Sequence, residues 1–251
     1  MDILFGIIFF YLGSVFASFA YVLALRLPKE ELLTTRSHCE NCQMDLRFID
    51  VMPMFGYLLN EGRCHYCHER INIKHLLVEI GGGLAFLGAF LVYREFSWEL
   101  FVSLILITVL IAQTMSDIQE GIVIDRIWMV GLVLIVGVRF VQGVFLPYLW
   151  SSLGLFAVML GLLLLGRFLF KKEALGGGDV KLYLFIGFAL TFYEGLLSIF
   201  FAALFGLLYA LLTKKLFGNN LRFVPAIALA SILSHWFAAD VIDWYLSLLG
   251  M

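Results

Sequence analysis

Apolar residues run along this chain in long blocks separated by short polar stretches. The first block, Ile3–Leu25, is long enough to cross a hydrocarbon core of about 30 Å at about 1.5 Å per helical residue. Further blocks cover His75–Tyr93, Leu100–Ser116, Ile127–Leu146, Ser151–Phe170, Val180–Phe192, Gly195–Thr213 and Phe223–Ala239. The pattern predicts an all-α polytopic membrane protein of about eight transmembrane helices, the sixth of them short. One sizeable polar segment interrupts the blocks, between Arg26 and Lys74. The expected organisation is a first transmembrane helix (1–26), a small cytosolic insertion (27–74) and a helical bundle (75–251). Near the end of the chain, Trp244 and Tyr245 suit the headgroup level.

Composition supports that reading. The chain is 62% apolar and 14% charged with a mean hydropathy of +0.97, against roughly 45–50% and 25% in soluble domains. The net charge of -2 is small, and the cations form no stripe, which excludes a nucleic-acid partner as an expectation. No positive charge precedes the first block and Arg26 follows it, so it reads as a retained helix and not a cleaved export signal. With the insertion in the cytosol and the blocks alternating, Arg126, Lys171, Lys172, Lys181, Lys214, Lys215 and Arg222 all fall inside. Arg94 and Arg139 are the outside exceptions. The bias of positive charge implies an N-out, C-out topology and puts the segments MSDIQEG and GGGD on one cytosolic face.

The insertion holds all four cysteines, as Cys39-x-x-Cys42 and Cys64-x-x-Cys67 with 21 residues between the pairs. Two such knuckles can converge on one tetrahedral ion, and a segment this small needs help to build a core. Four thiolates describe a closed, structural zinc site. Redox or disulfide cysteines are the competing reading, which a cytosolic location disfavours. His38, His65 and His68 lie beside the knuckles as possible competitors for the metal.

Asp117 ends the third block and Asp179 follows Gly176, Gly177 and Gly178 just before the sixth. Either carboxylate alone reads as an interfacial helix cap. Two of them at cytosolic helix ends, one behind a glycine run, point to paired-carboxylate chemistry. One aspartate acts as general base on water and the other as acid toward an amide, the two sharing a proton. The glycines permit close backbone approach and positive φ, and so the passage of an extended peptide beside Asp179. Asp125, eight residues after Asp117, competes for the first position, with a surface ion pair to its neighbour Arg126 as the plainer reading. Ser18 and Ser116 lack triad partners, and His235 within the eighth block reads as a packing residue.

In GSVFASFAYVLALRLP, in the segment SHCENCQMDLRFIDVMPMFGYLLNEGRCHYCHERINIKHLLVEI, around Asp117 and in GGGDVKL, the chain resembles the bacterial type IV prepilin peptidases, competence-type members included. The resemblance covers most of the chain up to about Leu182. It implies a GxGD-type membrane aspartyl protease of the bacterial cytoplasmic membrane, with Asp117 and Asp179 at the catalytic positions and Gly176 and Gly178 at the conserved glycines. Its substrates would be prepilin or pseudopilin precursors, cut on the cytosolic side after a glycine to remove a short basic leader. Glu120 and Glu173 are acidic groups placed to attract such a leader. Many members then methylate the new N-terminus with S-adenosylmethionine, and Cys39, Cys42, Cys64 and Cys67 fall on the zinc-type positions. The chain departs from the family in having Val123 and Ile124 where an Ile-Pro pair is usual, and Glu40 where a proline is common. Nothing in the insertion reads as a glycine-rich cofactor loop, so methylation rests on the resemblance. A different class of function, a non-catalytic ion-binding transporter or pilus-assembly scaffold, would call for a carboxylate near the bilayer midplane.

Overall fold

The computed structural model describes residues 2–32, 35–170, 176–212 and 222–248. Lys171, Lys172, Glu173, Lys214 and Lys215 lie outside the described residues. Ten α-helices occur among those described: α1 (Asp2–Arg26), α2 (Phe48–Val51), α3 (Phe55–Leu59), α4 (Lys74–Tyr93), α5 (Trp98–Glu120), α6 (Asp125–Val141), α7 (Phe145–Phe170), α8 (Gly177–Ala189), α9 (Phe192–Leu212) and α10 (Val224–Leu248). Each of the eight apolar blocks forms one long helix, and α2 and α3 are short additions inside the polar insertion. Six helices, α1, α4, α5, α7, α9 and α10, are long and apolar enough to cross a membrane. The other two, α6 with 17 residues and α8 with 13, are shorter. The chain is therefore all-helical and multi-pass, and it divides into two compact units, Met1–Glu95 and Phe96–Met251.

In the first unit α1 packs along α4 through small residues. A Cβ on Gly13 would meet the Gly82 carbonyl oxygen at 2.4 Å, and one on Gly83 would meet Ser14 Oγ at 2.7 Å. The two backbones thus touch directly, the geometry that small residues permit between helices in lipid, where no hydrophobic force drives association. Farther along, Phe9 stacks on Phe90 with ring centroids 4.8 Å apart.

The second unit is built around α8, which touches α5, α6, α7, α9 and α10. Its residues Val180, Leu182, Tyr183, Phe185, Ile186, Gly187, Phe188 and Ala189 are all buried. A helix apolar over most of its surface belongs inside a bundle, and apart from the exposed Lys181 this one is largely enclosed by its neighbours, so it needs no full membrane length. Close packing locks it in place. A Cβ on Gly187 would meet Ser152 Cα at 2.3 Å, and Ser152 Oγ donates to the Leu184 carbonyl at 2.7 Å.

The C-terminal end of α8 is held by a buried arginine. Arg139 is fully buried; it donates to the Phe188 and Ala189 carbonyls at 3.0 and 2.9 Å, two acceptors left free by the helix end. Its remaining N–H groups make a bidentate pair with Glu99 and a bond to Gln142 Oε1, and its guanidinium lies 3.6 Å from the Tyr148 ring centroid. Ser151 Oγ donates to the Leu190 carbonyl at 2.8 Å. Arg139 is thus no loop charge, contrary to its place in the charge tally along the sequence.

Candidate functional site

Asp117 and Asp179 occupy the opposite end of this unit, and each is only 7% exposed. Asp117 sits in the last turn of α5, where a negative charge faces the negative end of that helix's dipole. Two groups offset this. The backbone N–H of Val224, the first residue of α10, donates to Asp117 Oδ2 at 3.2 Å, and the Arg222 guanidinium lies within electrostatic reach. A carboxylate at a helix N-terminus is favourably placed, so α10 supplies what α5 withholds.

Asp179 is the third residue of α8 and accepts the Gly176 N–H at 3.2 Å, which caps that helix. The two carboxyl groups interact electrostatically with each other. Position 117 and position 179, read from sequence as a pair, are therefore brought together.

The turn after Asp117 is tightly specified. Gly121 takes φ +74°, ends α5 and donates to the Asp117 and Ser116 carbonyls at 3.0 and 3.3 Å. Any side chain there would strike Arg222, whose Nη1 lies 1.6 Å from where a Cβ would stand. Gln113 then grips the backbone of Ile124 from both sides, accepting its N–H at 2.9 Å and donating to its carbonyl at 2.8 Å. A proline at 124 would have no N–H to give, so this chain fixes the segment by a side-chain clamp in place of a rigid ring. Ser116, whose Oγ donates to the Ile122 carbonyl at 2.9 Å, has a structural part in the same turn.

The three glycines serve different ends. None of them takes a positive φ. Gly178 permits a close approach, since a Cβ there would meet Val123 Cβ at 2.8 Å, pressing the start of α8 against the segment that follows Asp117. Gly176 gives its N–H to Asp179, and Gly177 is exposed with open space where a Cβ would stand. Asp125 is accounted for as a surface ion pair. Its partner is Lys181 on α8, at 2.9 Å, with Trp128 Nε1 on the other oxygen at 3.0 Å, and not Arg126. Sequence reasoning missed Arg222, Gln113 and the Val224 N–H as parts of this site; each acts across a sequence distance that no local pattern reveals.

In the first unit, the four cysteines converge. Their Sγ atoms all lie within 4.8 Å of one another, with Cys39–Cys67 at 3.8 Å and Cys42–Cys64 at 4.0 Å. Four sulfurs about 2.3 Å from a tetrahedral zinc would stand about 3.8 Å apart, so the cluster has the size of a filled site. The two knuckles fold alike. An isolated bridge brackets each pair, His38 with Asp45 and Arg63 with Arg70. In each, the fifth residue, Gln43 or His68, takes φ +58° and returns its N–H to the carbonyl of the first cysteine. His68 is thus a turn residue, and among the described residues no histidine joins the sulfur cluster. The Glu69 backbone N–H, with further help from neighbouring thiols and Asn41, brings the Cys67 thiol down to about 7, while Cys42, against the Met44 backbone N–H, is pushed up to about 11 by burial and the neighbouring thiols.

Family comparisons match both units. The bacterial peptidase A24 N-terminal domain matches residues 11–93, and the type IV leader peptidase family matches residues 104–211. A prepilin leader peptidase/N-methyltransferase of Bacillus subtilis (strain 168) is 30% identical over 96% of this chain and 98% of its own. The chain belongs to the type IV leader peptidase family. A type 4 prepilin-like proteins leader peptide-processing enzyme of Escherichia coli O78:H11 is 32% identical over 84% of this chain and 79% of its own. In Pectobacterium carotovorum, a prepilin leader peptidase/N-methyltransferase is 31% identical over 78% and 72% respectively. No solved structure matches the chain. In this leader peptidase family member, Asp117 and Asp179 both fall inside the matched 104–211 segment and the sulfur cluster inside the matched 11–93 segment.

Proposed function

We propose that this protein is a membrane-embedded aspartyl endopeptidase that removes the short basic leader from type IV prepilin-like and pseudopilin precursors, cutting after a glycine on the cytosolic side. The observation that carries the assignment is the burial of two interacting carboxyl groups, Asp117 and Asp179, at one end of the second unit. Their surroundings differ and so do their proposed parts. Asp117 has the Val224 N–H and the Arg222 charge beside it and is the ionised member, which takes a proton from the attacking water. Asp179 holds the shared proton and passes it to the scissile amide, so that water's oxygen bonds to the carbonyl carbon and the leaving nitrogen departs protonated. Gly177, exposed and without a neighbour, and Gly176 and Gly178 beside it form the edge along which the extended leader would lie.

The orientation follows from charge. Arg126, Lys181 and Arg222 belong to the aspartate end, while Arg139 at the other end is buried and paired. The positive-inside bias supports a reading in which the aspartates face the cytosol. A transporter built on these two aspartates would call for them midway along a span, whereas both lie at helix ends.

Cys39, Cys42, Cys64 and Cys67 would hold a structural zinc, which ties the two knuckles into one fold. Methylation of the new N-terminus with S-adenosylmethionine is a proposed second activity. An open cleft of about 500 Å³ beside the knuckles, lined by Glu31, Leu32, Thr35, Arg36, His38 and Asp45, offers both acidic and basic groups to a zwitterionic sulfonium ligand. Incubating the purified protein with a prepilin peptide, basic leader through Gly-Phe into its apolar segment, tests the main proposal by mass spectrometry. A single cut after glycine is expected; an intact peptide with a folded preparation would refute it.

A further inference from the structure

The 21 residues between the two cysteine pairs do not form a polar loop. They hold α2 and α3, folded back on each other as a hairpin. Its arms are tied by a polar bond: Asn60 Nδ2 donates to Asp50 Oδ1 at 3.0 Å, and Asp50 is itself paired with Arg47 of its own arm at 2.9 Å. The two arms cross closely, since a Cβ on Gly56 would meet the Asp50 carbonyl oxygen at 2.2 Å.

The closed end lies deep along α1. Met54 N–H donates to Glu79 Oε2 at 2.7 Å, Ser14 Oγ reaches Met54 Sδ at 3.8 Å, and the Phe55 ring lies 6.0 Å from that of Tyr11. Tyr11 stands about 22 Å along the helix axis from Arg26, at about 1.5 Å per residue. The register against α4 agrees. Tyr21 meets His75 near the start of α4, and Phe9 meets Phe90 near its end, so Tyr11 and Ser14 belong to the middle stretch of the pair. A contact there places the hairpin tip well inside the span.

Its outer face is apolar and uncovered. Phe48 is 83% exposed, Leu58 63% and Leu59 68%, with Ile49, Val51 and Phe55 alongside them. Six large apolar side chains displayed by one short segment would be a liability in water. In hydrocarbon they are expected, provided the backbone polar groups are satisfied. Around the tip that condition is met by Met54 N–H, bonded to Glu79, and by Val51, Met52, Phe55, Gly56 and Leu58, which donate within the hairpin. This also explains a carboxylate at membrane depth. Glu79, 8% exposed, accepts from Met54 N–H and from Ser18 Oγ at 2.9 Å and so anchors the tip.

We propose that Phe48–Leu59 is a re-entrant hairpin whose outer face is covered by lipid acyl chains, so that the sulfur cluster is fastened to the membrane surface by the loop joining its two halves. Ile8 and Leu12 are exposed apolar side chains of α1 itself. The test is photocrosslinking of the full chain in phosphatidylglycerol/phosphatidylcholine vesicles, with p-benzoylphenylalanine replacing Leu58, Phe48, Leu12 or Met44, one at a time. All four side chains are exposed, so the fold tolerates the exchange. Phospholipid adducts bonded to acyl carbons are expected from Leu58 and Phe48, in yields within about threefold of Leu12, and none from Met44 in the knuckle. Adducts confined to headgroups, adducts to protein, or no adduct at Leu58 and Phe48 while Leu12 reacts would each overturn the proposal.

Discussion

The two ends of the second unit are both polar and both buried, yet they are finished differently. At the Arg139 end, each bond of the guanidinium is answered: two helix carbonyls, a bidentate carboxylate, an amide oxygen and an aromatic face. At the aspartate end, Asp117 and Asp179 each accept one backbone N–H among the described residues and interact electrostatically with one another. A fully satisfied buried cluster fixes structure, and here it fixes α8 by its C-terminal carbonyls. An incompletely satisfied pair of like charges lowers stability and keeps bonding capacity for a reactant. Joining the two ends is α8 itself, held at its last turn and bearing Asp179 in its first.

That contrast can be broken by substitution. Asp117→Asn and Asp179→Asn are expected to lower peptide cleavage by about 10³-fold or more, the scale of lost acid–base catalysis, while thermal unfolding in detergent is unchanged or slightly improved. Arg139→Ala should do the reverse. Glu99 then keeps the Gln142 amide and two helix carbonyls lose their donor, at about 1–3 kcal/mol for each buried acceptor left unsatisfied, seen as a lower unfolding midpoint, with activity following the folded fraction.

The cysteine cluster should separate from both ends. Cys39→Ser or Cys64→Ser is expected to abolish stoichiometric zinc in elemental analysis and to expose the insertion to proteases, with aspartate-dependent cleavage still measurable. A preparation of the parent protein without bound metal would contradict the structural-zinc proposal. Smaller effects sharpen the account of the glycines. Gly178→Ala pushes a methyl group toward Val123 and should cost about 1–3 kcal/mol through overpacking, whereas Gly177→Ala meets nothing and should stay within about 0.5 kcal/mol of the parent. Equal effects at the two positions would remove close approach as the reason for Gly178.

How far the sequence disclosed this depends on the range of each interaction. The long helices were legible because apolar length alone decides a span, and the cysteine knuckles because their spacing is local. Asp117 and Asp179 stood out as charges beside apolar blocks. The standing of α8 as an enclosed axial helix was not legible, since an apolar run reads the same facing lipid or protein. Arg139 looked like an exposed outside charge because its partner, Glu99, lies on the preceding long helix, α5. Arg222 and Gly121 fit each other across a much wider gap in sequence. The hairpin at Phe48–Leu59 was hidden in a segment whose cysteines and charges made the whole of it read as soluble.

The most direct test is to measure cleavage and thermal unfolding together for Asp179→Asn and Arg139→Ala beside the parent protein. Cleavage lost with stability kept in the first, and stability lost with per-molecule cleavage kept in the second, is the predicted outcome. Substantial cleavage by folded Asp179→Asn would contradict the claim that the buried aspartate pair performs the chemistry.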